Sequence, residues 1–295
     1  MVLEELTRLA RAVEDNWCAA WASLGGVRHE LPTAVDAPPE FVRVWTPAAP
    51  DMLLNIVMRY HGRAPVRRGD LEPIVAPFLR HGLPFQWWLL RGTEPEGLRD
   101  QLPRLDLTAC GGSVCMALPL AGWNPPPAVR SLDRAATAGR ATTRGEARAA
   151  HQVICEVFAL PSDPMARWTT GNPAVQLYLA YWAGQPVSAL TTLRDGNTVG
   201  VYHVTTRPGY RRRGLAGHLV ALALDEARAA GADLATLTAT PEARPLYESL
   251  GFRACGWMEQ WIPGPDLMND LYYGGRDRRG HPAPTERMER RGGWW

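Results

Sequence analysis

The chain has 295 residues, 46% hydrophobic and 21% charged, with 32 basic and 30 acidic side chains. That is room for about two domains of ordinary size, in the proportions of a folded globular protein. A formal charge of +2 gives no electrostatic footprint for nucleic acid, and no apolar run approaches the roughly 18 residues that a membrane span needs. Every basic residue is arginine and lysine is absent. The five cysteines, at 18, 110, 115, 155 and 255, contain no Cys-x-x-Cys pair. They therefore indicate neither a zinc knuckle nor a redox couple, and read as reduced thiols of a cytoplasmic protein. The acidic, amphipathic start at Met1 is unlike a secretory signal.

In chain order, Leu3, Leu6, Leu9, Ala10, Val13 and Trp17 recur at helical spacing and predict a helix stopped by Gly25-Gly26. Residues 30–50 are proline-rich and extended. Strands are predicted at Met52–Met58, Pro84–Leu90 and Ser113–Leu120, with helices at Asp70–Arg80 and Glu94–Leu102. Gly122-Trp-Asn-Pro-Pro-Pro127 can continue neither a helix nor a sheet interior, because proline fixes φ and lacks an amide donor. Residues 123–127 are therefore read as a linker between a domain at 1–122 and another at 128–262. In the second domain a strand is predicted at Val129–Leu132 and a helix at Arg144–Leu160. A hairpin pairs Gln176–Trp182 with Val187–Leu193, and a strand follows at Val199–Thr206. Then come a long helix at Gly214–Ala230, a strand at Leu234–Thr240, a short helix between Pro241 and Gly251, and a strand at Phe252–Ile262. Residues 263–295 lack apolar periodicity and are expected to form a loose tail.

The stretch from Val204 to Ala216, Val-Thr-Thr-Arg-Pro-Gly-Tyr-Arg-Arg-Arg-Gly-Leu-Ala, leaves a strand and opens the long helix with its stripe of Leu215, Leu219 and Leu222. Gly214 removes a side chain where backbone could approach a ligand. The first helical turn offers unpaired N–H groups and a positive dipole end, and Arg211, Arg212 and Arg213 add full charges. These features suit a diphosphate. On its own the stretch equally suits a solvated basic turn before an ordinary helix.

Arg211-Arg-Arg-Gly214-Leu-Ala216 resembles the Gln/Arg-x-x-Gly-x-Gly/Ala pattern of the GNAT superfamily of N-acetyltransferases. Thr206-Arg-Pro-Gly-Tyr-Arg211 resembles that family's Val-x-Pro-x-x-Arg lead-in, with threonine for valine. Thr240-Pro-Glu-Ala-Arg-Pro-Leu-Tyr247-Glu-Ser-Leu-Gly-Phe252 is similar to its Asn-x-x-Ala-x-x-Leu-Tyr-x-x-x-Gly-Phe element, with Thr240 for asparagine. The resemblance covers about residues 128–262. It implies direct acyl transfer from acetyl-CoA, or another acyl-CoA, to an amine without a metal. It implies that Val199–Thr206 and Leu234–Thr240 are parallel neighbours that splay. The pantetheine arm would then pair near Val204, Thr205 and Thr206. Arg211, Arg212, Arg213, Gly214, Leu215 and Ala216 would hold the pyrophosphate, and Thr240 would touch the cofactor. Tyr247 would protonate the departing thiolate, although a packing role suits it too. The family often carries a glutamate base on the strand matching Val199–Thr206. Here only His203 titrates near neutrality, as a base or as a structural histidine. Glu156 and Asp163 lie where acceptor-site helices sit, either as substrate contacts or as surface charges.

The first half echoes the second in element order, and Leu105–Gly112 parallels Leu250–Trp257. The expected fold is therefore α/β, with two GNAT-like mixed-sheet domains in tandem, each sheet flanked by helices. In the first copy Val66-Arg-Arg-Gly-Asp70-Leu would be the phosphate turn, and Asp70 would cap the helix start and repel a diphosphate. That copy is not expected to bind CoA. Trp87 and Trp88, adjacent on a strand, should face opposite sides of their sheet. The leading functional expectation is N-acylation of a small-molecule amine. The alternatives are acylation of a peptide or protein, with a longer acyl donor in play, and a non-catalytic CoA-binding protein. The expected partner is a small-molecule or peptide amine, with no nucleic acid and no membrane, in a monomer or homodimer.

Overall fold

A computed structural model of the chain describes residues 2–26, 33–48, 52–158, 169, 172 and 174–264. Asp163 and the tail beyond 264 lie outside the described residues. None of the described helices is long and apolar enough to cross a membrane. The chain divides into two compact units, one of residues 1–28 and 113–256, the other of 29–112 and 257–295.

The first unit is built on α1 (Val2–Ala22), the later part of β5 (Leu107–Pro119), β6 (Ala136–Arg140), α4 (Arg144–Phe158), β7 (Val175–Trp182), β8 (Gln185–Asp195) and β9 (Thr198–Thr206). It is completed by α5 (Leu215–Ala229), β10 (Leu234–Ala239) and α6 (Arg244–Ser249). Its strands run in the order β5-β10-β9-β8-β7-β6. All neighbours are antiparallel except β9 and β10, which are parallel. Buried Ala150, Val153 and Ile154 of α4 pack on Leu177, Leu179 and Ala189. The apolar side of α1, with Leu9, Val13 and Trp17 buried, covers β8, β9 and β10. At its centre the Tyr202 hydroxyl donates to Asn16 Oδ1.

Gly200 lies beneath that contact. A Cβ there would overlap Asn16 Oδ1 and the Tyr202 hydroxyl. Asn16 is only 1% exposed and has little room to yield. Gly200→Ala is therefore expected to destabilise the protein by about 1–3 kcal/mol, the usual cost of overpacking. Urea unfolding would read this as a lower midpoint at constant slope, and an unchanged midpoint would refute the packing.

The second unit comprises β1 (Ala34–Asp36), β2 (Val42–Trp45), β3 (Ile56–Met58), α2 (Arg68–Arg80), β4 (Gln86–Leu90), α3 (Leu98–Gln101) and the later part of β11 (Arg253–Pro263). Its order is β1-β2-β3-β4-β11, again with one parallel pair, here β3 and β4. Trp87 and Trp88 are both buried, so each face of this sheet is covered. Trp87 joins the core of Val57, Leu71, Phe78 and Phe85. Glu259 pins β11 through Arg91 (2.6 Å), Arg99 (2.6 Å) and the Trp261 indole N–H (2.9 Å). Each unit thus carries a run of mixed strands with one parallel pair.

Three expectations need correction. Met52–Leu54 is a 3-10 turn, so only Ile56–Met58 is strand. Pro127–Val129 is also a 3-10 turn, started by the proline that fixes its φ, and the strand comes later as β6. The units also depart from a division at 123–127. β5 aligns with β10 over Ala239↔Val114 to Leu234↔Pro119, while the end of β11 aligns with β4 over Met258↔Leu90 to Trp261↔Trp87. Each sheet takes its last strand from the other half of the sequence. The proline-rich stretch belongs to the first unit, where the Trp123 indole N–H donates to the Leu250 carbonyl (2.9 Å).

Candidate active site

The parallel strands β9 and β10 are in register only over Leu234↔Thr198, Ala235↔Val199 and Thr236↔Gly200. Beyond Thr236 the pairing of β10 continues with β5 alone, through Ala239. The two strands therefore part, leaving residues 201–206 of β9 along an opening.

Opposite the opening, β9 stays fastened to β8. Ser188 Oγ donates to the Thr205 carbonyl (2.6 Å), and the Arg207 N–H donates to the Val187 carbonyl (2.9 Å). The backbone groups of 205 and 207 thus point to β8. By strand alternation those of Val204 and Thr206 point into the opening. The Ser188 proton is spent on that carbonyl. Its 2.8 Å contact with Thr206 Oγ1 must then carry the Thr206 proton, so Thr206 presents backbone rather than hydroxyl.

A bulge marks the strand. Thr191↔Tyr202 is followed by Ala189↔Thr205, so β9 carries one residue more than β8 between them. His203 takes a left-handed φ of 52° there, the conformation that absorbs an extra residue. The break in alternation places the Tyr202 and His203 rings 6.5 Å apart. His203 Nδ1 meets Thr191 Oγ1 at 2.9 Å, and its ring stands edge-on to Phe158 of α4.

The chain leaves β9 through a 3-10 turn at Pro208–Tyr210 and enters α5 at Gly214. Gly214 has φ 77°, Arg212 has φ 64°, and no side chain caps the helix. The first-turn amides therefore have no side-chain acceptor. A Cβ built on Gly214 meets nothing within 4 Å. The glycine is required by its left-handed backbone, and the space in front of it is open. The three arginines differ. Arg211 Nε donates to the Thr206 carbonyl (3.1 Å) and closes the turn. The Arg213 guanidinium lies over Trp182 (4.5 Å to the ring centre) and nearer that ring than Tyr210 (6.0 Å). Arg212 is exposed.

α6 follows β10 directly, and Leu246 approaches α5 so closely that a Cβ on Gly217 would stand 3.3 Å from it. This brings Tyr247 to the same end of the sheet as the Gly214 turn. Tyr247 is buried and edge-on to Phe252. Loss of hydration pushes its phenol above the usual 10.

Residues 146–260 match the model of the acetyltransferase (GNAT) domain. They form a GNAT domain. A GCN5-related N-acetyltransferase from Kribbella flavida is 21% identical, with a TM-score of 0.62 over 83% of this chain and 94% of that one. One from Sphaerobacter thermophilus is 16% identical, with a TM-score of 0.57 over 87% and 94%. A tandem GNAT protein from the clavulanic acid biosynthesis pathway is 11% identical, with a TM-score of 0.53 over 86% and 95%. At these identities the likeness is one of fold. No curated protein matches the chain.

Within the GNAT domain, the residues singled out from the sequence fall into two groups. Val204, Thr205, Thr206, Gly214, Leu215, Ala216 and the three arginines share the end of β9 and the start of α5. Thr240, Tyr247 and His203 flank that end from β10, α6 and the bulge. Leu215 is buried, 1% exposed, so its side chain packs and only its amide faces outward. Thr240 Oγ1 accepts the Ala243 N–H (3.3 Å), and its carbonyl takes the Ala243 and Arg244 amides (3.1 and 3.0 Å). The hydroxyl thus serves the α6 turn. Glu156 is paired with Arg207 (2.6 Å), which absorbs the charge expected for a cationic substrate. Sequence reading missed Thr191, Trp182 and the β9 bulge, because cross-strand partners lie far apart in the chain.

The residues fit a CoA. Gly214 gives the turn an open front, the backbone of Val204 and Thr206 faces the gap, and the buried Thr205 Oγ1 has no hydrogen-bond partner. No group of three metal-ligating side chains occurs among the described residues.

Removal from water, and secondarily His151, lowers the His203 pKa to about 4. An unfolded histidine titrates near ~6.5. Between those values the unfolded chain binds a proton that the fold refuses, so stability falls as pH drops from about 6.5 towards 4. His203 alone should contribute a loss of about 2–3 kcal/mol by about pH 4.5. Urea unfolding at several pH values should show that part of the loss missing in His203→Gln. Equal acid sensitivity in both proteins would contradict the neutral ring.

Proposed function

We propose that this protein transfers an acyl group from acetyl-CoA, or another acyl-CoA, to the primary amine of a small molecule. The observation that carries the reading is the parting of β9 from β10 after Thr236, beside a helix that starts on an open glycine. Extended thiol arms can pair with an exposed strand edge, and diphosphates suit uncapped helix starts flanked by arginine. Acyl-CoA would supply an activated thioester carbonyl. Val204 and Thr206 would align its arm, the amides of Leu215 and Ala216 with Arg212 would hold its phosphates, and Tyr247 would face the departing sulfur with a protonated phenol. His203, neutral at working pH, would receive the amine proton. Its pKa of about 4 makes it a weak base, well below the near-neutral value that favours proton transfer.

The second unit supports a different role for the first half of the sequence. Its parallel pair is in register over Ile56 to Met58, and β4 then continues to Leu90 with β11. The Asp70 carboxylate accepts the Arg67 N–H (2.8 Å) at the start of α2. An anion already built into that turn disfavours a second one. We assign this unit no CoA site.

The reading is tested by thiol release from acetyl-CoA and longer acyl-CoAs against small amines and amine-bearing peptides. Release stimulated by small amines supports it. Stimulation by peptides alone shifts the acceptor class. CoA binding without release by any amine replaces the enzyme with a CoA-binding protein.

A further inference from the structure

The cation next to Gly214 is already held by aromatic rings. The Arg213 guanidinium lies 4.5 Å from the centre of the Trp182 ring and 6.0 Å from that of Tyr210. The two rings are 6.4 Å apart, and the Tyr210 hydroxyl donates to Gln185 Oε1 (3.3 Å). Gln185 is in turn the partner of Trp182 across the β7–β8 hairpin. A guanidinium held through its face keeps its five N–H donors, all in the plane of the group, for another partner. Among the described residues, no side chain or carbonyl takes a hydrogen bond from Arg213. The strand order is β10-β9-β8-β7. The gap therefore lies on one flank of β9, and the stack stands beyond the other, two strand spacings or about 10 Å away.

We infer that the stacked Arg213 receives the ribose 3′-phosphate of CoA, and that Trp182 is the positioning residue that makes the protein prefer CoA to its 3′-dephospho form. This rests on the acyl-CoA reading of the gap and the turn. The linear order of the ligand matches the order of parts across the sheet. With the thiol arm in the gap and the diphosphate on the amides of Leu215 and Ala216, the ribose and its 3′-phosphate leave on the side of the stack. A planar fork meets two oxygens of a phosphate at once. Stacking fixes that fork beforehand, so less rotamer freedom is lost when the anion arrives. Arg212 is exposed and has no such support; it serves the diphosphate that both ligands share.

The test is calorimetric titration of the full chain with CoA and with 3′-dephospho-CoA, read as the ratio of the two dissociation constants. Wild type should favour CoA by about tenfold or more, the worth of a charge-assisted contact. In Arg213→Gln the preference should fall below about threefold. Trp182→Leu keeps an apolar side chain at the end of β7 but removes the aromatic face, and should lose the preference to the same degree. Trp182→Phe should retain most of it. Arg212→Gln should weaken both ligands alike and leave the ratio as in wild type. A general loss of folded protein reduces both affinities together, so a destabilised Trp182→Leu cannot imitate the result. A wild-type ratio near one overturns the inference. So does a wild-type ratio kept in Arg213→Gln or Trp182→Leu, or an equal fall in Arg212→Gln. If wild type binds neither ligand, the acyl-CoA reading fails and takes the inference with it; if it binds both equally, the inference alone fails.

Discussion

Gly214→Glu is expected to weaken CoA binding by at least about 100-fold, close to 3 kcal/mol. Two costs add. The φ of 77° suits glycine, and any other residue there carries about 1–2 kcal/mol of strain. The remainder is electrostatic. The position faces open space, so the new carboxylate would stand where the proposed diphosphate would be held, and would satisfy the first-turn amides in its place. Gly214→Ala isolates the strain and should cost less than about tenfold, because nothing stands in front of its methyl group. Calorimetric titration with CoA separates the two variants. A Gly214→Glu protein that binds like wild type would move the phosphate site elsewhere.

Tyr247→Phe should lower kcat about 100-fold while KM for acyl-CoA changes less than threefold. Positioned acids are worth about 10²–10⁴, and burial argues for the lower end here. Burial raises the phenol pKa, which makes Tyr247 a poorer acid than a free phenol. It keeps a reliable O–H donor for sulfur as charge gathers there. The ring packs edge-on to Phe252, and phenylalanine preserves that contact, so thermal stability should hardly move. Steady-state thiol release reads the effect. Unchanged kcat would leave Tyr247 a packing residue.

The local parts of this site were legible in the chain. Gly214 before an apolar helix stripe announced a helix start without a side chain in front of it, and Asp70 at the matching place announced a capped one. Both depend on a few consecutive residues. Sheet partnership does not. Nothing in Val-Gly-Val-Tyr-His-Val-Thr-Thr signals an extra residue at His203, because a bulge exists only relative to β8. α1 was visible as a helix, yet its apolar face did not say that it would cover β8 to β10. Glu156 was visible as an acid on a helix, but its fate depended on Arg207, 51 positions away. The division at 123–127 erred for the same reason. Proline marks a break in regular structure and says nothing about where the flanking strands pair.

The crossing of β5 and β11 has a consequence for how the molecule could be cut. A nick in the backbone at 123–127 would not yield two independent modules, since each piece would hold a strand that completes the other's sheet and the helix α1 would go with the wrong fragment. The severed pieces should copurify under native conditions and separate only in denaturant. Either one produced alone should be insoluble, so the two copies can now be kept or lost only together.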